Sequence, residues 1–288
     1  MRSLEASPVG AVVGQVALRF VGASPGEVSR DQTAWCSAVV IASCLIARRS
    51  TAILQPMSDD VHLEPYLGVV ARVTDLVRAA AQASLDEIVP ACPDWTARKV
   101  VAHLAGLATD WVAGHFDDYG SDAWAGAQTA RFEGWAVDDV LGAWSAAASQ
   151  FAELGPSPMG GTPAMWAFGD AVVHEADLRP VLAPGTRVPR DAMALGLKAA
   201  VARWRGELGS AGVPPLDMIA NDMRTWRVGD PDAAAQTVTT TGYELFRALF
   251  GRRSRAQVEA WDWSGDPAVY LDVDLPYPFR WAATAVED

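Results

Sequence analysis

The sequence predicts an α+β protein in which a four-helix bundle is followed by a smaller α/β domain. Apolar residues recur at helical spacing in four consecutive segments of 63–182, and the short connections between them are typical of a bundle. Beyond Pro189, helical segments alternate with short β-like pieces, which indicates a mixed domain. We therefore expect a poorly ordered extension over 1–57, a four-helix domain over 58–186 and a small α/β domain over 187–288.

Each predicted helix of the bundle has a recognisable beginning or end. The first begins at Leu63 with an apolar stripe, and the second follows Thr96, whose side chain can accept a hydrogen bond from the free amides of a first turn. The third covers 137–154 and ends at a Gly-Pro-Ser-Pro turn. The fourth covers 163–182 and stops before a Pro-Gly pair. Four such helices in succession favour a bundle.

The C-terminal part mixes both kinds of element. A helix is predicted over 192–208, followed by strands over 225–228 and 235–241, which are rich in Thr and Val. A further helix over 243–250 is closed by a glycine, and 268–273 is predicted to be a last strand. This order is that of a small α/β domain.

Composition and charge exclude several classes of protein. Half of the 288 residues are hydrophobic, and 35 acidic against 23 basic side chains give a net charge of −12, which argues against nucleic acid or an anionic membrane as a partner. The three cysteines lack the number and spacing of a disulfide framework or a cysteine zinc site. The longest apolar run, 34–47, is too short to cross a bilayer. We expect a cytoplasmic monomer or homodimer.

One set of residues is suited to hold a metal ion. Asp170 and His174 are four residues apart on a predicted helix and therefore lie on one face. His103 lies on the apolar stripe of another helix of the bundle. Two imidazoles and one carboxylate from two helices leave a coordination position open, and they suit zinc first, with iron, nickel or cobalt as alternatives. The plainer alternative is an Asp–His hydrogen bond and a buried core histidine.

Other polar residues fit ordinary structural roles. Glu175 is about 100° around the helix from His174, so we expect it at the surface. Cys92 has no close basic neighbour, which favours a buried, unreactive thiol. His62 and His115 stand in polar settings that favour solvated or helix-capping side chains.

An arginine cluster stands out in the C-terminal part of this acidic chain. Its members are Arg247, Arg252, Arg253 and Arg255. Cations at a helix end offset the helix dipole, which is the structural explanation. The functional alternative is a patch that binds the carboxylate of a small anionic substrate.

Three stretches together resemble the mycothiol-dependent maleylpyruvate isomerase family. Residues 88–106 (IVPACPDWTARKVVAHLAG) carry the most specific likeness, a Cys-Pro-x-Trp-Thr segment followed by a helix with a histidine. Residues 170–178 (DAVVHEADL) resemble the family's second metal helix, and 245–252 (LFRALFGR) resemble a helix ending in Gly-Arg. The likeness extends from Leu63 to the C-terminus.

The resemblance implies a DinB-like four-helix metal-binding domain followed by a small α/β domain. It implies His103, Asp170 and His174 as ligands of a divalent metal, zinc in first place, although the family carboxylate is typically Glu and here is Asp. It also implies mycothiol as cofactor and an anionic or electrophilic small-molecule substrate, with Arg252 or a neighbouring arginine as the catalytic-site residue that holds a substrate carboxylate. The family's activity is the cis to trans isomerisation of maleylpyruvate by addition and loss of the cofactor thiol.

The leading hypothesis is thus a metal-dependent, thiol-cofactor isomerase or thiol transferase. Thiolate is the nucleophile in such chemistry, and a metal in the open site would keep a bound thiol deprotonated. A metal-dependent hydrolase that uses metal-bound water is one alternative. A module that binds a small ligand on the same scaffold without catalysis is another, and a shared fold does not decide among them.

Overall fold

The computed structural model describes residues 61–288, and the extension predicted over 1–57 lies outside this part of the chain. The N-terminal half of the described part is helical. Its helices are α1 (Leu63–Ala79), α2 (Ala97–Ala113), α3 (Asp122–Arg131), α4 (Val137–Ala148) and α5 (Pro163–Leu182). The four predicted helices are confirmed, and α4 ends earlier than predicted, before a 3-10 turn at Phe151–Glu153. The extra helix, α3, was missed because only Trp124 and Gln128 of its ten residues are buried.

Apolar stripes determine how these helices pack. Helix α1 lies against α5, α2 lies against α4, and α2 also contacts α5. The predicted cap of α2 is confirmed, since the Thr96 side chain accepts a hydrogen bond from the Lys99 amide at 3.3 Å. Gly106 lets α3 approach α2 closely, because a Cβ atom there would lie 2.4 Å from Cβ of Gln128. The α2 and α5 contact brings the predicted ligand helices together.

A short hairpin precedes α2. Strands β1 (Ile88–Val89) and β2 (Cys92–Thr96) are antiparallel, in a stretch that the sequence predicts as a break between helices. The prolines in this segment conceal the strand pattern, since proline cannot donate to a sheet ladder. The hairpin places Cys92 and Trp95 beside the helices that carry the predicted metal ligands.

The C-terminal part combines a four-stranded sheet with helices. Its elements are α6 (Arg190–Ala211), β3 (Leu216–Ala220), β4 (Thr225–Val228), β5 (Gln236–Thr240), α7 (Gly242–Leu249), α8 (Arg255–Glu259), β6 (Asp262–Trp263) and α9 (Ala268–Leu271). The strand order is β4-β3-β5-β6, with β3 and β5 parallel and the other pairs antiparallel. Helices α6 and α7 pack against each other.

This part differs from the sequence prediction in several elements, and the short elements α8 and β6 were not predicted. Strand β3 was missed although Leu216, Met218 and Ala220 alternate inward in it. The strand predicted over 268–273 is wrong, because Ala268–Leu271 is helical. The Asp266 side chain accepts a hydrogen bond from the Ala268 amide at 3.0 Å, which favours a helical turn there over an extended strand.

The α+β class is confirmed. Helical and sheet parts belong to one compact unit, and the domain boundary at 186/187 stays a prediction. In residues 61–288 we find no helix with the length and apolar character needed to cross a membrane.

Candidate metal centre

The three predicted ligands meet between α2 and α5. His103 lies in the middle of α2, while Asp170 and His174 are one turn apart on α5. Nε2 of His103 is 3.3 Å from Oδ2 of Asp170, and Nε2 of His174 is 3.8 Å from Oδ1 of the same carboxylate. One potential ligand atom from each residue lies within 4.8 Å of the others. The α2 and α5 packing therefore converges two imidazoles on one carboxylate.

These separations fit the spacing of ligands around a common ion. Tetrahedral zinc ligands that are about 2.0 to 2.2 Å from the metal lie roughly 3.3 to 3.6 Å from one another. The two histidine-to-Asp170 distances, 3.3 and 3.8 Å, are close to that spacing. Oδ2 of Asp170 is buried without a hydrogen bond, and a cation would satisfy it. Nδ1 of His103 is also buried and has no hydrogen-bond partner among the described residues.

Asp170 is suited to be an anionic ligand. Burial raises its pKa, but the nearby His174 and His103 and the positive Arg252 outweigh burial and hold the pKa at about 2. The carboxylate is therefore ionised at neutral pH. One carboxylate beside a divalent ion leaves a net positive charge, which attracts an anion.

Asp177 fixes the orientation of His174. Its Oδ2 lies 2.9 Å from Nδ1 of His174, within hydrogen-bond distance, so a proton on Nδ1 leaves Nε2 unprotonated toward Asp170. Metal-binding histidines are commonly held by a carboxylate in this way. This contact was not predicted from the sequence. The signal was available, since residues three apart on a helix are neighbours.

Two arginines of the C-terminal part neutralise Asp177. Nη1 of Arg247 is 2.6 Å from Oδ1 of Asp177, and Nη2 of Arg252 is 3.0 Å from Oδ2. Burial raises the pKa of Asp177, yet Arg252, Arg247 and His174 together hold that pKa well below its usual value. The buried Asp177 carboxylate thus connects His174 to two arginines of the C-terminal part.

The predicted substrate-binding arginine, Arg252, has protein partners. Besides Asp177 it donates a hydrogen bond to the carbonyl oxygen of Phe250 at 2.6 Å. Its neighbour Arg247 is fully buried between Asp177 and the side chain of Asp288. Arg253 pairs with Glu244 at 2.6 Å, and Arg255 pairs with Glu259 at 2.6 Å. A role for Arg252 in holding substrate stays a prediction.

Cys92 lies close to Asp177 and His174, and its surroundings make its thiol unreactive. Its Sγ is 3.5 Å from Oδ2 of Asp177 and 4.0 Å from Nδ1 of His174. Burial, followed by the charge of Asp177, raises the pKa of the Cys92 thiol to about 12, so the thiol is protonated at neutral pH. Cys92, His174 and Asp177 are also close enough to form a ligand set. Asp177 is already engaged by two arginines, which favours the set containing Asp170.

The Trp95 ring lies against both histidines of the candidate centre. The ring of Trp95 is 4.9 Å from that of His103 and 6.2 Å from that of His174, measured between centroids. The two imidazole rings are 5.1 Å apart in an edge-to-face arrangement. The packed Trp95 ring restricts the histidine rotamers and excludes water from one side of the ligands.

Two expectations for other polar residues are corrected by the structure. Glu175 is fully buried, not exposed, and pairs with Arg72 at 2.7 Å and with Arg179 at 2.6 Å. His62 is buried, with its ring 6.0 Å from that of Phe168. Helix α5 is covered on all sides, so the angle between Glu175 and His174 does not place Glu175 in solvent.

The comparison with protein families concerns the segment that contains all three ligands. The family model described as "Mycothiol maleylpyruvate isomerase N-terminal domain" matches residues 67–179. Residues 67–179 are therefore similar to the N-terminal domain of this family. His103, Asp170 and His174 all lie inside the matched segment.

Solved structures support the fold of this family. The crystal structure of the mycothiol-dependent maleylpyruvate isomerase is similar with a TM-score of 0.51 and 14% identity, and the match covers 79% of this chain and 100% of that chain. A histidine-to-alanine mutant of that isomerase gives a TM-score of 0.50 with the same identity and coverage. At this identity the likeness shows the fold alone. None of the curated proteins matches the chain significantly in sequence.

Proposed function

We propose that this protein is a metal-dependent enzyme that uses a thiol cofactor, mycothiol. It either isomerises a small electrophilic substrate or transfers the thiol to it. The observation that carries the proposal is the convergence of His103, Asp170 and His174, with His174 oriented by Asp177. The similarity of residues 67–179 to the N-terminal domain of the mycothiol maleylpyruvate isomerase family supports the thiol and the reaction class.

The donor set fits a divalent metal, with zinc in first place. Two imidazole nitrogens and one carboxylate oxygen are ligands that zinc accepts, and three protein ligands leave a further position for a small molecule. A metal held there would supply Lewis-acid chemistry that favours the thiolate form of a bound thiol. The ionised Asp170 limits the positive charge without removing it.

The chain's own residues support an external thiol as the nucleophile. The Cys92 thiol is protonated, since its pKa is raised to about 12. Asp177 holds a proton on Nδ1 of His174 and is itself neutralised by Arg247 and Arg252, so the pair is suited to orientation more than to proton transfer. The thiol that attacks an electrophile would then come from the cofactor.

Metal content tests the proposal first. The purified protein should hold about one equivalent of zinc, and His103→Ala or His174→Ala should lower the affinity by at least about 10-fold, because loss of a direct ligand exceeds loss of a supporting group. His115→Ala is the matched control, since His115 is an exposed histidine outside the ligand set. Metal content that does not change in either ligand variant would contradict the proposal.

Thiol dependence tests the reaction class. With maleylpyruvate as probe, turnover should require added mycothiol and should be lost in the same two ligand variants. Turnover that persists without thiol would indicate hydrolysis or another reaction through metal-bound water, and would contradict the thiol mechanism. Stabilisation by a small ligand but not by zinc would indicate a binding module instead.

A further inference from the structure

An arginine of helix α6, Arg203, lies beside Trp166 of the helix that carries Asp170 and His174. Arg203 is half-buried, and in the part of the chain that the structure describes it forms no ion pair within 4.0 Å. It donates one hydrogen bond to the carbonyl oxygen of Tyr277. Burial lowers the pKa of Arg203, while Tyr119 and Glu207 act in the opposite direction without forming a close pair. A partly buried guanidinium normally has an anionic partner.

Two aromatic rings fix the position of this guanidinium. Its Cζ is 5.1 Å from the centroid of Trp166 and 5.9 Å from that of Phe279. The Trp166 indole donates a hydrogen bond to the Gly160 carbonyl oxygen at 2.8 Å, which anchors its ring. Phe279 packs edge-to-face on Phe250, with centroids 5.2 Å apart. Arg203 therefore has a defined place even without a carboxylate partner.

One of these two rings, Trp166, is one helical turn from Asp170 on α5. Trp166 precedes Asp170 by four residues on α5, so the two side chains share a face and are separated by about 6 Å along the helix axis. Burial raises the pKa of Tyr119 and the charge of Asp170 raises it further, while the charge of Arg203 lowers it.

A cavity next to Phe279 offers room for a small molecule. Its volume is about 250 Å³, and its lining includes Phe279, Asp122, Arg252 and Arg280. Arg252 is already paired with Asp177, so its charge is largely compensated. Arg203 is outside the lining itself, but its Cζ lies 5.9 Å from the centroid of the Phe279 ring that borders the cavity.

We infer that Arg203 binds a carboxylate group of the substrate whose reactive carbon faces His103, Asp170 and His174. The inference rests on the proposed function for the location of the reaction, and it assigns the carboxylate contact to Arg203 instead of Arg252. The substrate class is a small aliphatic carboxylate. Arg203 is then a determinant of specificity, which sequence spacing did not reveal.

Direct binding of succinate tests the inference without any turnover. Calorimetry on the zinc-loaded full chain should show succinate binding, and Arg203→Met should weaken it by about 10- to 100-fold, the loss expected for a charge-assisted contact. Succinamide, the uncharged analogue, should bind weakly to both proteins. Arg205→Met is the matched control, because Arg205 is an exposed arginine of α6 whose contact is the Arg227 carbonyl oxygen, away from the cavity.

The outcomes separate this inference from the proposed function. Equal succinate affinity in Arg203→Met and the unsubstituted protein would overturn it, as would absence of succinate binding by the unsubstituted protein or a loss confined to Arg280→Met. Arg203→Lys keeps the charge and should retain part of the affinity, which guards against a folding defect in Arg203→Met. If succinate binding depends on Arg203 but no thiol-dependent turnover is found, the proposed function is refuted and the inference about Arg203 stands.

Discussion

Nδ1 of His174 lies 2.9 Å from Oδ2 of Asp177, and this contact connects the candidate metal centre to the C-terminal part of the chain. Asp177 is fully buried and also contacts Arg247 and Arg252, which come from residues that follow the sheet strand β5. The same carboxylate thus orients a ligand of the helical part and anchors two arginines of the C-terminal part. Substitutions at Asp177 should affect both metal affinity and stability.

Replacing Asp177 by asparagine should weaken metal binding and destabilise the fold. Loss of a carboxylate behind a metal-binding histidine costs about 10- to 100-fold in affinity. Arg252 loses the carboxylate it pairs with and Arg247 keeps only Asp288, so the free energy of unfolding should fall by about 3 to 5 kcal/mol. Zinc affinity is measured by competition with a chromophoric chelator, and stability by urea denaturation of the metal-free protein.

A surface pair provides the control for Asp177→Asn. Asp138→Asn removes a carboxylate of the same type from an exposed ion pair with Arg78, and should change stability by less than about 1 kcal/mol. Zinc affinity should not change in this variant. Equal effects of the two substitutions would show that the contact of Asp177 with His174 is unimportant.

The stability of the metal-free protein should fall in acid because of Asp170 and Asp177. Both carboxyls have a lowered pKa in the folded state, about 2 for Asp170, against roughly 3.9 for an unfolded aspartate. Their stabilisation is complete above about pH 5 and is lost as the pH falls through the unfolded-state pKa toward the folded-state pKa values. Urea denaturation at several pH values should show a shallower acid loss in Asp177→Asn. Parallel pH curves would contradict this explanation.

Asp170 should tolerate replacement by glutamate better than by asparagine. Asp170→Asn removes the anionic ligand, so zinc affinity should drop by about 10-fold or more. Asp170→Glu keeps the charge and introduces the carboxylate expected from the family resemblance, so its affinity should stay within about 10-fold of the unsubstituted protein. The zinc affinities of the two variants are compared by competition with the same chelator. A larger loss in the glutamate variant than in the asparagine variant would mean that charge at this position is not what binds the ion.

Glu175 should matter for stability and not for metal binding. It is fully buried between Arg72 and Arg179, so Glu175→Gln should lower the free energy of unfolding by about 3 to 5 kcal/mol. Glu259→Gln, in an exposed pair with Arg255, is the control and should have an effect below about 1 kcal/mol. Zinc affinity should be preserved in the folded fraction of both variants. A selective loss of zinc in Glu175→Gln would place this residue in the metal centre.

The sequence was sufficient to predict those site features whose residues lie on a single helix. Asp170 and His174 are one helical turn apart, so their common face follows from the sequence, and the apolar stripe of α2 places His103 inside. Thr96 is a cap recognisable from its side chain and position. These residues needed no knowledge of distant contacts beyond the packing of helices in a bundle.

The other features depend on partners that are distant in sequence. Glu175 is buried because Arg72, 103 residues earlier, reaches it from α1. Strand β3 exists because β5 pairs with it in parallel, and a strand of five residues gives a weak pattern by itself. Arg203 has its role from Trp166 and Phe279, which belong to other elements. Sequence spacing does not contain these relationships.

Anomalous diffraction from crystals of the zinc-loaded protein tests the central claim most directly. We predict one strong peak at the zinc edge between α2 and α5, about 2.0 to 2.2 Å from Nε2 of His103, Nε2 of His174 and a carboxylate oxygen of Asp170. A peak bound instead by Cys92 and Asp177, or ordered side chains with no peak among the three residues at saturating zinc, would contradict the account.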